Sequence, residues 1–462
     1  MLKLSQFSVV HNLAERGLAT HNLVFNTRTS KSLVVTSEVW ETLVASFGAP
    51  AEARAELRAP IERLVELGIA VRDDTDERAA YGAGFDAQRF HPKQVFPIFA
   101  VTTACNIGCT YCYEAGVLGK TMTPKVIDGI ARWVEERMVV DGIRTIVPLL
   151  FGGEPLLYPK LLYVLMDRVN EVVARYGGFC QYTASSNGMR MTDELAAALA
   201  QRGLVQIQIS LDGPKCVHDE RRIGKRGEPS FDQALRGIRS AATAIRTVTV
   251  KVNFDRHNRG AIAQLFDDLV AEGLAGRIKV KLEAVAFQAP DSKTVHPRDV
   301  VIPPESEEMA NAYTELILEA KARGIAVERD TAHTTPCMMS SHHGVAIGPD
   351  GSIVKCISLV GRSEFAVGNV LDTAQYDSES YASQMNVLKR LDECFEERCP
   401  YVPVCAGGCT YESVVRTGRY DLRFCTKPNL RLFHFQRQLM RHEKELVALG
   451  MRPLAAREVS AT

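Results

Sequence analysis

Several absences narrow the field before any motif is considered. Lysine plus arginine and aspartate plus glutamate each total 55, so neither sign of charge is in excess. No overall field would draw the chain to nucleic acid or to an anionic membrane. No uninterrupted apolar run approaches the roughly 18 residues of a membrane-spanning helix. The opening "MLKLSQFSVVHNLAERG" lacks the basic segment and apolar core of a secretory signal. No internal repeat stands out. These absences predict a cytoplasmic protein with neither nucleic acid nor membrane among its partners. What remains is ordinary for a globular protein: 462 residues, 46% hydrophobic and 24% charged, enough for two or three domains.

One count is not ordinary. There are 12 cysteines, and in a reducing compartment a disulfide framework explains them poorly, so metal or redox chemistry gains weight. Ten of them fall into two groups, three at 105–112 and seven at 337–425; Cys180 and Cys216 stand alone and read as inert, packed thiols.

The chain divides by pattern. In residues 1–90, "HNLVFNTRTSKSLVVT" reads as two strands around a polar turn, and "SEVWETLVASF" and "AELRAPIERLVELGIAV" read as amphipathic helices. Together they suggest a winged-helix-like unit, followed by "ERAAYGAGFDAQRF" as a linker. Over 91–325 strands and helices alternate. The strands are "VFPIFAVTT", "TIVPLLFGG", "QYTASSN", "VQIQISLDG", "TVTVKVNF" and "RIKVKLEAVAF". Near-continuous apolar strands joined by helices imply a parallel sheet covered by helices, and six such units favour a partial (β/α)6, TIM-like barrel. Functional residues then belong at the strands' C-terminal ends. Cys105 follows the first strand at once; "GGEP" ends the second, "SSNG" the third, "SLDGP" the fourth and Asn253 the fifth. Residues 326–440 form a cysteine-rich domain and 441–462 a C-terminal tail.

Cys105, Cys109 and Cys112 are spaced C-x3-C-x2-C, which chance would produce roughly 0.01 times in such a chain. Structural zinc sites are normally closed by four protein ligands. Three thiolates on one loop can instead hold three irons of a four-iron cluster and leave the fourth iron open. With Tyr111 before the last cysteine and the loop after a first barrel strand, the pattern resembles that of radical S-adenosylmethionine enzymes. The resemblance implies that the open iron chelates the cofactor's amino and carboxylate groups, and that reductive cleavage yields a 5′-deoxyadenosyl radical. An electron donor such as flavodoxin or ferredoxin is implied as a partner. By the same resemblance Gly152, Gly153 and Glu154 receive the methionine amino group, Ser210 and Arg222 hold its carboxylate, and Ser186 and Asn187 meet the ribose. Asp212 and His218 either join that site or only shape the fourth-strand turn.

The second group reads C-x13-G-x4-C from Cys337 to Cys356, then Cys394, Cys399, Cys405 and Cys409 in "CFEERCPYVPVCAGGC", then Cys425. A zinc ribbon is one reading of this spacing. It also resembles the SPASM extension of radical enzymes, which carries up to two auxiliary four-iron clusters, although C-x4-C stands here where C-x2-C is usual. The resemblance assigns Cys337, Cys356 and Cys409 to a nearer cluster, and Cys394, Cys399, Cys405 and Cys425 to an outer one. His343 stands where some relatives have an eighth cysteine, so the fourth position is His343, is open, or the cluster is absent.

Enzymes with this extension mostly act on peptides or proteins, so a peptide maturase acting on a ribosomally made peptide is expected. Two alternatives remain. A sulfatase maturase would carry an aspartate base directly after Cys356, where this chain has Ile357. A zinc-stabilised binding protein would perform no catalysis. No acid or base stands apart from the solvated charges, so the catalytic residues are not assigned. The N-terminal unit is somewhat similar to small winged domains that capture leader peptides as an added strand, a helical docking domain with no ligand being the other reading.

Overall fold

The computed structural model describes residues 1–49, 52–114, 116, 117, 119–285, 306–328, 336–372, 376 and 378–454. The end of the sixth expected strand (286–287) and the last part of the expected tail (455–462) lie outside them.

The six barrel strands are β1 (Ile98–Thr102), β2 (Leu149–Gly152), β3 (Tyr182–Ser186), β4 (Leu204–Ser210), β5 (Thr247–Phe254) and β6 (Lys279–Ala284). "TIVPLLFGG" breaks at Pro148, which has no N–H to give a ladder. Thr145–Ile146 pairs instead with Gln94–Val95 and Phe179–Cys180 in a separate small sheet. Six helices follow the strands: α1 (Pro124–Val139), α2 (Pro159–Arg175), α3 (Asp193–Gln201), α4 (Phe231–Ala244), α5 (Ile262–Ala271) and α6 (Glu307–Ala322). Their starts are written in the sequence. Thr123, Thr192 and Ser306 each accept an N–H from the third residue on, capping α1, α3 and α6. The helices' apolar faces and the strands share one large core, including Trp133, Met166, Ile207, Val250 and Phe266.

Among the described residues the sheet does not close. Adding β7 (Ala326–Val327), β8 (Ala346–Ile347), β9 (Ser352–Val354) and β10 (Gly368–Asn369), its order is β7-β6-β5-β4-β3-β2-β1-β8-β9-β10. β1 to β7 run parallel, β8 is parallel to β1, and β9 and β10 are antiparallel additions. The cysteine-rich region therefore continues the barrel's own sheet beyond β1.

The N-terminal residues form an antiparallel sheet, Ser8–Leu13, Leu18–Asn26 and Ser32–Thr36, followed by helices Ser37–Ala45 and Arg58–Leu67 around Val24, Trp40, Leu64 and Ile69. The expected linker is a helix, Glu77–Phe90. Two glycines lower its propensity, but Asp76 caps it through Ala79 N–H at 2.9 Å, and Phe85 and Arg89 are buried. Arg89 donates to the carbonyls of Ser340 (2.8 Å) and Met385 (2.7 Å), fixing the helix to the cysteine-rich region. The start of the expected tail is also packed. Leu446 and Met451 are buried with Leu13, Leu18, Leu23 and Leu439. Among the described residues, no helix is long and apolar enough to cross a membrane.

Candidate cofactor and cluster sites

The loop after β1 carries Cys105, Cys109 and Cys112, all partly buried. It is held to the segment after the short helix Lys215–Arg221: Gly108 N–H donates to Ile223 O (2.8 Å), Thr110 N–H to Arg221 O (3.1 Å), and Lys225 N–H to Asn106 O (2.9 Å). Burial pushes the Cys105 thiol up to about 11 and Cys112 to about 12, and raises Cys109, against which Arg222 acts as a nearby cation. Such thiols become thiolates only when a metal compensates for the buried charge.

The two glycines of "GGEP" serve this loop. Gly152 has φ 141°, and a Cβ there would lie 2.0 Å from Thr102 O; one on Gly153 would lie 2.5 Å from Ala104 O. Their absence lets Gly153 N–H reach Thr102 O and Glu154 N–H reach Ala104 O, both at 2.9 Å. The end of β2 thus lies directly against the base of the cysteine loop.

Glu154 is fully buried. Its carboxylate accepts from Ser186 Oγ (2.8 Å), Leu156 N–H (2.9 Å) and Asn187 N–H (2.6 Å). Burial raises its pKa, while these bonds hold it down. Two carboxylate oxygens offer about four acceptor positions, so three bonds leave room for one further donor such as an ammonium. Ser186 is thereby engaged with Glu154, and the Asn187 amide donates to Asn106 at 2.8 Å.

Tyr111 turns inward from the loop. Its hydroxyl donates to Asp212 and accepts from Arg222 (2.7 Å) and the Asn253 amide (3.0 Å). The Arg222 Nε has no hydrogen-bond partner among the described residues and is buried, as expected of a donor aimed at an anion. Ser210 is buried at the end of β4. Asp212 N–H donates to His218 Nδ1 (3.2 Å), whose Nε2 meets Ser230 Oγ (3.0 Å). Burial holds His218 down to about 4, with Arg222 acting in the same direction. His218 is therefore a neutral brace of the fourth-strand turn. Arg221, next to the expected Arg222, pairs with buried Asp255 (2.8 Å) and lies 3.9 Å from Asp212. Nothing in the sequence pattern singles out Arg221, or Glu114, whose carboxyl burial pushes to about 7 beside the loop.

Of the seven later cysteines, Cys337, Cys356 and Cys409 are neighbours, as are Cys394, Cys399, Cys405 and Cys425. Burial pushes Cys356 to about 12, and Cys337 and Cys409 lie close enough to raise it further. Cys394 is raised by burial and by Cys399 and Cys405, and Cys399 likewise by burial and by Cys405 and Cys425. Cys394, Cys399, Cys405 and Cys425 line one small cavity with Arg423 and Lys427, cations suited to an anionic thiolate cluster. The candidate histidine has neighbours of its own. His343 Nε2 meets Phe90 O at 3.4 Å and Nδ1 lies 3.9 Å from Asp141. Arg137 forms an ion pair with Asp141 (3.0 Å) and a hydrogen bond with His342 (3.4 Å) there, so a guanidinium already supplies the positive charge.

Comparison with known proteins bears on the family and the fold. The radical SAM superfamily matches residues 99–269. The mycofactocin maturase MftC of Mycobacterium ulcerans (strain Agy99) is 27% identical over 330 residues, 67% of this chain and 81% of that protein. Among solved structures, native anSMEcpe with bound AdoMet and Kp18Cys peptide superposes with TM-score 0.56 and 14% identity, covering 77% of this chain and 99% of that one. Streptococcus suis SuiB bound to precursor peptide SuiA superposes with TM-score 0.53 and 13% identity, covering 92% and 99%.

Proposed function

From the premise that this chain is a radical S-adenosylmethionine enzyme related to SPASM-domain peptide maturases, we propose that it modifies a ribosomally made peptide, forming a cross-link or altering a side chain or backbone, with two auxiliary clusters in residues 326–440. The observation that carries the reading is the partition of seven cysteines into a set of three and a set of four, on a sheet that extends the barrel at β1.

When bound, a four-iron cluster and S-adenosylmethionine supply a 5′-deoxyadenosyl radical that abstracts a hydrogen atom. Cys105, Cys109 and Cys112 would hold the cluster. Glu154, oriented by Ser186, Asn187 and Leu156, would accept the cofactor's ammonium, a charge-assisted bond. Arg222, positioned by Tyr111, would donate its free Nε–H to the carboxylate. Asn187 and Ser210 remain candidate cofactor contacts. Cys337, Cys356 and Cys409 would hold three irons of the nearer auxiliary cluster, and Cys394, Cys399, Cys405 and Cys425 the whole of the outer one. Ile357, at the position where a sulfatase maturase would carry its aspartate base, packs in an apolar cluster with Val354, Leu359 and Met339.

Residues 1–90 are read as a winged-helix-like peptide-recognition unit, with barrel, cluster domain and tail following at 91–325, 326–440 and 441–462. Ser32–Thr36 ends its three-stranded sheet and offers an edge to an added strand. SuiB, whose solved structure holds its precursor peptide, covers 92% of this chain, against 77% for anSMEcpe. The test is anaerobic incubation of reconstituted enzyme, cofactor and reductant with a short precursor encoded nearby. Release of 5′-deoxyadenosine with a changed peptide mass is expected; neither appearing overturns the proposal.

A further inference from the structure

Two buried cations lie among the later cysteines, and they differ in what satisfies them. Lys355, preceding Cys356, donates to the carbonyls of Ser341 and His342. Arg390 has no such partner. It is 0% exposed, and its Nε, Nη1 and Nη2 all lack a hydrogen bond among the described residues. A guanidinium without counter-charge in a protein interior is among the costliest arrangements known. Its surroundings show what it is aimed at. Arg390 sits one turn before Cys394 on the helix Leu388–Glu396. Gly407, between Cys405 and Cys409, has φ +84° and admits the arginine stem: a Cβ there would lie 2.9 Å from the Arg390 Cβ. The sulfurs that act on the guanidinium are those of Cys337, Cys409, Cys405 and Cys394, so both cysteine sets are represented.

We propose that Arg390 is a positioning and tuning residue shared by the two auxiliary clusters, donating N–H bonds to sulfur on both sides and biasing both toward their reduced states. This rests on the reading that both cysteine sets hold iron. One-electron reduction adds one negative charge to a cluster, and a buried cation beside it stabilises that charge strongly in a medium of low dielectric. Hydrogen bonding to cluster sulfur and burial are established levers on such potentials. Gly407 is then explained as the residue that leaves room for a side chain reaching between the two sets.

The experiment uses the full-length chain with Cys105, Cys109 and Cys112 changed to alanine, so that any iron is auxiliary. Iron and sulfide near about eight each per chain are expected, and both centres are followed by electron paramagnetic resonance through a redox titration. In Arg390→Met the reduced-to-oxidised ratio of both centres at fixed poise falls about tenfold or more, each tenfold being about 59 mV for a one-electron couple. If that variant does not hold iron, Arg390→Gln, neutral but still a donor, is titrated and shows a fall in both centres. Arg390→Lys restores most of the shift. Iron retained with both potentials unmoved in the neutral variant, or with one centre alone moved, overturns the shared role. A parent with iron near zero overturns the cluster reading, and the role of Arg390 with it.

Discussion

The barrel rim and the cysteine-rich region handle buried charge differently. At the rim, most of it is settled by protein, the Arg222 Nε being left over. Arg221 pairs with Asp255 and approaches Asp212, and Glu154 takes three hydrogen bonds from Ser186, Leu156 and Asn187. Around Arg390 three guanidinium nitrogens have no protein acceptor among the described residues. The rim is thus largely organised by protein contacts, whereas Arg390 is left for a charge that the proposed clusters would bring. This difference predicts that the two regions depend unequally on metal.

The largest effect expected is the loss of one activity without the other iron. Replacing Cys105, Cys109 and Cys112 with alanine abolishes 5′-deoxyadenosine formation, while iron on the seven later cysteines persists. Chromatography of the nucleoside and an iron count check both halves. A persistent nucleoside product would break the assignment of the loop.

The next contrast sets two arginines against each other in the metal-free chain. Arg221→Met leaves Asp212 and Asp255, both fully buried, without their cation, and destabilises by about 3–5 kcal/mol. Arg390→Met removes an uncompensated charge and is expected to be neutral or stabilising. Urea denaturation of the two variants measures the difference; equal losses would erase the distinction between the regions.

The rim was readable from the sequence because its spacing is dictated twice. A cluster fixes C-x3-C-x2-C, and the sheet fixes which residues end the strands, so Cys105, "GGEP" and "SLDGP" had to meet. The assignment of the later cysteines to two clusters came by resemblance alone. Arg390 was not, because one arginine on an amphipathic helix looks like a solvated charge until the chain that buries it is in place. The same limit hid the helix Glu77–Phe90: glycines and alanines read as a linker, and the contacts that overrule them, Arg89 to Ser340 and Met385, lie some 250 residues or more away in sequence. The contacts of His343 with Phe90 and Asp141 were hidden for a related reason, since spacing says nothing of which way a ring faces.

Acid should weaken the rim's brace. His218 titrates near 6.5 when unfolded and is held to about 4 in the fold by burial. Between those values the unfolded chain binds more protons, so stability rises with pH across the window and is lost as pH falls from 6.5 toward 4. A shift of that size amounts to about 3 kcal/mol at its full extent. His11 and His342, also held to about 4 mainly by burial, add to the same slope. His218→Gln should flatten the pH dependence of the denaturation midpoint without removing it, and an unchanged slope would mean His218 is not held neutral by the turn.

The smallest change offered here is one atom at the centre of the rim. Glu154→Gln keeps the shape but turns one acceptor into a donor. All three groups now facing the carboxylate are donors, Ser186 Oγ, Leu156 N–H and Asn187 N–H, so at least one buried bond is lost whichever way the amide turns. The stability cost is about 1–3 kcal/mol. The same substitution removes the negative charge that would meet the cofactor's ammonium, so the affinity for S-adenosylmethionine should fall about tenfold or more, charged hydrogen bonds being worth roughly 1.5–3 kcal/mol. Equilibrium dialysis on the iron-loaded protein, read beside its denaturation midpoint, separates the two losses. Weakened binding with the cysteine loop still loaded would show that Glu154 faces the cofactor. A lower midpoint with unchanged affinity would reduce it to a brace of the β2 and β3 strand ends, and would move the ammonium site elsewhere on the rim.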